Sequence, residues 1–124
     1  MGKLVADVVL DDGLNILVNS GSHMNVNKLA PTTFANAVSS YCIAWTVMSD
    51  GSYGVGDGDV SGRKCSIHQV ADIAVNSDGN ANHISIVDSA NAALLYATTC
   101  TSQALTQGNT VTVNSWDVEI ADPS

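Results

Sequence analysis

The clearest periodicity lies near the start of the chain, where Leu10, Leu14 and Leu17 or Val18 recur at i, i+4 and i+7. That spacing predicts a helix, with Asp11 and Asp12 acidic at its start and Ser20-Gly21-Ser22 ending it, although Gly13 weakens it. His23-Met24-Asn25-Val26-Asn27 then alternates polar and apolar, the pattern of a half-buried strand. Ala30-Pro31-Thr32-Thr33 is turn chemistry, and Thr32 or Thr33 is placed to cap one short helical turn over Phe34, Ala35, Ala37 and Val38. From Tyr41 to Val47 the run YCIAWTV has hardly a polar break and predicts a central strand buried on both faces.

Residues 49–62, SDGSYGVGDGDVSG, hold five of the ten glycines and predict a long loop. Alternation returns from Lys64 to Val70, with Cys65 and Ile67 on one face. Asp78-Gly79 signals a hairpin between Ile73-Ala74-Val75 and a strand around His83, Ile84, Ile86 and Val87. Asp88-Ser89-Ala90-Asn91 turns into Ala92 to Thr99, and Gln107-Gly108-Asn109 turns into an alternating run from Thr110 to Ile120. Turns spaced near ten residues over the last sixty positions are the signature of a sandwich or barrel. The expected fold is therefore mainly β: a single antiparallel β-sandwich or barrel-like domain with a short N-terminal helix. Residues 1–20 form an apolar, helical segment, either a docking arm or a cover over one end of the sandwich, and 21–124 form the β domain.

Composition sharpens this picture. One Glu, three Lys and one Arg stand against fifteen Val and nine Thr, so helices must be few and short. Charged residues make up 13% of the 124 positions, against about 25% in an ordinary domain. Ser, Thr, Asn and Gly must then cover much of the surface. With 4 basic and 12 acidic residues the net charge is −8, which disfavours nucleic acid and anionic membranes as partners. An apolar share of 45% excludes a disordered acidic tail, and no apolar run reaches the ~20 residues of a membrane helix. Asp7, Asp11 and Asp12 interrupt the stretch after Lys3 where a secretory leader would lie, so synthesis in the cytosol is expected. Three cysteines, Cys42, Cys65 and Cys100, do not form the even framework of a disulfide scaffold.

Candidate chemistry is sparse. Asp57, Asp59 and Ser61 match ligand positions one, three and five of a calcium loop, with Gly62 at six. His68 stands where the bidentate glutamate belongs, which favours an acidic surface turn over a metal site. Gly58 to Lys64 has the wrong glycine spacing for a phosphate loop. Cys65 and His68, three apart in a strand, point to opposite faces and cannot share a zinc ion without a bulge. No Gly-x-Ser-x-Gly elbow is present, and Asp117 with Glu119 reads as edge charge on a final strand. His83 reads as a hydrogen-bonded strand residue. No cofactor and no enzymatic activity are expected. Candidate partner contacts are Leu4, Val5, Val8, Val9, Leu10 and Tyr53.

Several segments together resemble a known group. LAPTTF (29–34), DGDVSGRK (57–64), ANHISIVD (81–88), LLYATTCTSQALTQGNTVTV (94–113) and WDVEIADP (116–123) are similar to small proteins encoded in the virion-structure regions of tailed bacteriophages. The resemblance implies a virion structural protein, with no catalytic residues to carry over. Within that group the expectation is a capsid decoration or cement protein on the virion surface, made in the host bacterial cytoplasm. It would bind the major capsid protein lattice, stabilise the shell and self-associate, for instance as a trimer. The alternative is a receptor- or glycan-binding module of a tail fibre or baseplate, using Trp45, Tyr53, Trp116 or Asp57 with Asp59. A small hydrolase is the third reading.

Overall fold

Helix α1 (Asp7–Ser20) forms where the leucine spacing predicts it, and Leu14 and Leu17 are turned into the core. The computed structural model of the chain describes residues 7–58 and 62–120. Gly21 ends the helix by donating its N–H to the Leu17 carbonyl at 2.8 Å. A Cβ at this position would lie 2.4 Å from that carbonyl oxygen and 2.5 Å from the Tyr53 hydroxyl, so only glycine lets the chain pass.

The strands are β1 (His23–Asn27), β2 (Cys42–Val47), β3 (Tyr53–Asp57), β4 (Arg63–Ile67), β5 (Val70–Ala74), β6 (Gly79–Asp88), β7 (Ala93–Leu105), β8 (Thr110–Val113) and β9 (Trp116–Ile120). They pair antiparallel in three sheets, ordered β2-β1-β6-β7, β3-β4-β9 and β5-β8. The domain is mainly β with a short N-terminal helix, as the alternation predicts. An isolated bridge from Ala44 to Val75, with the Asn76 N–H on the Ile43 carbonyl at 2.7 Å, ties the free edge of β2 to the end of β5. The four-stranded and two-stranded sheets therefore curl into one another. Met24, Ile43, Ile67 and Ile86 are fully buried between the layers, and α1 packs across β3 and β4. No helix among the described residues is long and apolar enough to cross a membrane.

Five local expectations change. The apolar run YCIAWTV is not central: β2 is an edge strand, with Ile43 and Ala44 buried but Trp45 47% and Val47 66% exposed. An unbroken apolar run has the same pattern whether its second face meets protein or forms an apolar surface. Within the expected long loop, Tyr53–Asp57 is a strand, because Tyr53 and Val55 alternate inward while Gly54 and Gly56 leave the other face bare. Asp78-Gly79 makes no hairpin; Gly79 opens β6, β5 pairs with β8, and the Asp78 carboxylate accepts the Gln107 N–H at 2.7 Å. The last run is two strands, since its inward positions are 111 and 113, then 116 and 118. That slip of one residue at Asn114-Ser115 sends β8 and β9 to different sheets.

β1 is buried on both faces, not one. Residues 28–41, which include the helical turn Asn36–Ser40, lie over its polar side. The Thr33 hydroxyl accepts the Asn36 N–H at 3.1 Å, the capping role its sequence position predicts. Beneath this segment Asn27 is fully buried, donating to the Ala37 carbonyl at 2.9 Å and accepting from the Ser85 hydroxyl at 2.7 Å. Buried amides of this kind are tolerated because their hydrogen bonds are met.

Gly21→Ala is expected to destabilise the fold by about 1–3 kcal/mol, because the added methyl overlaps backbone as well as the Tyr53 hydroxyl. Urea denaturation of the two proteins measures this, and an unchanged midpoint would show that the corner yields.

Candidate functional site

Trp45 and Val47 lie two apart on β2 and so share a face, opposite Asn25 and His23 of β1. The covering segment stops short of them, leaving a cavity of about 210 Å³ lined by His23, Asn25, Phe34, Val38, Trp45 and Ser89. The His23 ring meets Trp45 edge-on, with centroids 5.4 Å apart. Its Nδ1 lies 3.0 Å from the Ser22 hydroxyl, which donates to the Ser89 hydroxyl at 2.9 Å and accepts the Ser89 N–H. This bracket holds the rim of the cavity against the turn between β6 and β7. On the floor Asn25 is 2% exposed and its amide nitrogen has no partner. The result is an apolar receptacle with a narrow polar margin, suited to an apolar side chain.

Ser22 and His23 are the nearest approach to a nucleophile and base. Among the described residues no carboxylate hydrogen-bonds the His23 ring, and the Ser22 hydroxyl is engaged with Ser89 and the Val87 carbonyl. The third element of a triad is not in place.

The other candidates are scattered. Asp57 is ion-paired with Arg63 across the β3–β4 hairpin at 2.5 Å, whereas Asp59 and Ser61 lie outside the described residues. No group of three or more His, Cys, Asp or Glu among the described residues can hold a metal ion. Cys65 is buried in the core, while exposed His68 has its Nδ1 3.1 Å from the Gly51 carbonyl, so the pair is not brought to one site. Burial pushes the thiols of Cys42, Cys65 and Cys100 up, against the direction a reactive cysteine needs. Asp117 and Glu119 are exposed on the edge strand β9, with Asp117 3.6 Å from the Lys64 ammonium. His83 is half-buried, its Nδ1 2.6 Å from the Asn82 side chain.

Comparison with protein-family models, with curated proteins and with solved structures found no match.

Of the expected partner contacts, Leu4 and Val5 lie outside the described residues, and Val8, Val9 and Leu10 fall on α1. Tyr53, expected at a partner surface, is 6% exposed, and its hydroxyl donates to the Gly21 carbonyl at 3.0 Å, so its side chain serves the core. Its ring belongs to the inward set of β3, a role the glycines around it disguise in the sequence. Trp116 stacks on Tyr96 with centroids 5.9 Å apart. Of the aromatic residues singled out in the sequence, Trp45 is the one that stands exposed. Its signal was the pair of apolar residues at i and i+2, which an all-apolar run conceals.

Desolvation pushes the Tyr53 phenol up from 10.0 to about 12, with the Cys65 thiolate as a lesser, like-charge cause. The folded chain therefore keeps this proton where the unfolded chain releases it. The stability due to Tyr53 is full below pH 10 and falls as pH rises towards about 12. Urea midpoints across that range are expected to fall less steeply in Tyr53→Phe than in the parent chain. Equal slopes would place the titration elsewhere.

Proposed function

We propose that the chain is a structural protein of a tailed-phage virion. Within that class the proposed role is a capsid decoration or cement protein, not an enzyme, that binds the major capsid protein lattice and stabilises the shell. The observation that supports a docking role is the exposed apolar face of Trp45, Val47 and Val38 around a cavity of about 210 Å³. A tryptophan beside a small apolar receptacle is the usual anchor of a protein interface, where a few such residues supply most of the affinity. The charge of −8 favours a partner surface bearing Lys or Arg and keeps free copies apart before assembly. Many weak sites on a repeating lattice add to a strong attachment without any one being tight. The virion assignment itself rests on the sequence resemblance.

Purified particles are expected to carry the protein at fixed stoichiometry on the shell. Replacing Trp45 and Val47 by Ser is expected to weaken retention on capsids at least about tenfold, since losing a central aromatic anchor costs about 2 kcal/mol or more. Thermal melting of the free protein should change less than retention does, because Trp45 and Val47 are 47% and 66% exposed. Recovery only with tail components, or binding to glycans lost with Trp45, would transfer the role to a receptor-binding module.

A further inference from the structure

A second cavity, of about 430 Å³, opens on the opposite edge of the four-stranded sheet. It lies in the wedge between β7 and the β8–β9 segment, which leave the turn at 106–109 together but pair with different sheets. Its floor includes Val26, Ala81 and Ile84, and the Tyr96–Trp116 stack joins its two sides. Residues 98–101 and 111–117 line it in unbroken runs. Successive residues of a regular strand point to opposite faces, so Thr98 with Thr99 and Val111 to Val113, outside the irregularities at 100–102 and 114–115, bring the strand edges to the cavity.

Those edges are unpaired. Among the described residues β7 hydrogen-bonds only β6 and β8 only β5, and no turn or side chain bonds the outer edge of either. Neither carries a charged or proline guard: the thirteen residues of β7 and the four of β8 include no Lys, Glu, Asp, Arg or Pro. A bulge at residues 100–102 carries β7 away from β6 beside the cavity. Trp116, on the cavity wall, keeps a buried indole N–H without an acceptor.

We propose that this wedge receives an extended segment of another protein, added as a strand along residues 98–103 of β7. The segment's main chain pairs with the β7 edge, one of its carbonyls accepts the Trp116 N–H, and alternate small apolar side chains meet the floor. Charge sets the rest of its chemistry. Among the described residues Asp117 is the one charged residue lining the wedge and already faces Lys64 at 3.6 Å, so the inserted part is uncharged. The chain as a whole carries −8, so the flanks of the segment are basic. A second copy of this chain would bring −8 against −8 and is the poorer occupant. The wedge is separate from the Trp45 cavity, and the inference does not depend on a shell partner.

The test uses a capped peptide with a Val-Thr-Val-Thr-Val-Thr core between Lys-Lys ends, added to the full chain. Amide hydrogen exchange should slow at least tenfold at residues 98–103 with saturation. N-methylation of alternate core amides should abolish the effect, and Glu-Glu ends should weaken binding several-fold, a difference that shrinks in high salt. No slowing at millimolar peptide, or equal slowing by the N-methylated peptide, would overturn the proposal. So would sedimentation showing that the chain alone dimerises through β7.

Discussion

The fold turns on a single close approach at Gly21. Where a Cβ of residue 21 would stand meet the Leu17 carbonyl in the last turn of α1, the hydroxyl of Tyr53 from β3 and the side chain of Ile86 from β6. The helix, the three-stranded sheet and the four-stranded sheet are thus fixed to one another at a point where any side chain would intrude. Tyr53 gives the contact direction, because its hydroxyl donates to the Gly21 carbonyl from inside the core. A phenol held there is costly to ionise, so the same contact links the corner to alkaline pH.

A second constraint follows on the other side of β1. Its polar residues would face water in a simple sandwich, but the segment from residue 28 to 41 covers them and accepts from Asn27 at the Ala37 carbonyl, while Ser85 of β6 donates to the Asn27 side-chain oxygen. Since that cover ends before Trp45 and Val47, the apolar surface they form is a consequence of where the cover stops. The polar network specifies the placement of the segment, and the segment in turn shapes the cavity. A polar core network thereby has a direct effect on the surface available for docking.

How much of this was legible follows from which residues carry a local signal. The helix, β1, the capping Thr33 and the turns at 88–91 and 107–109 are written in spacing and turn chemistry, and they stand where expected. Pairing is not local. Asp78-Gly79 has hairpin chemistry, but β5 pairs with β8, setting Ile73 opposite Val111, and not with β6. The Tyr53–Asp57 strand was hidden because glycine marks loops by composition, while the period of two that places Tyr53 and Val55 inward occupies only three residues. The Trp45 cavity was not legible: it exists because the segment 28–41, which leads into β2, folds back over β1 and stops short of Trp45.

The scarcity of charge has its clearest structural meaning at the strand edges. In the three-stranded sheet, β9 presents Asp117 and Glu119, so an added strand would meet fixed negative charge. The edge of β2 is closed by Val75 and Asn76. With only four basic residues in the chain, the lysines that commonly guard an edge are unavailable for β7, where Thr and Ser take their place. Hydroxyl side chains keep such an edge wet without repelling a backbone. An edge built this way remains open to main-chain pairing, whereas β9 excludes acidic strands by charge and β2 is closed by its neighbour. The composition that looks at first like a plain uncharged coat thus separates β9 and β2 from β7 and β8, the uncharged edges at which recognition rests on main-chain hydrogen bonds.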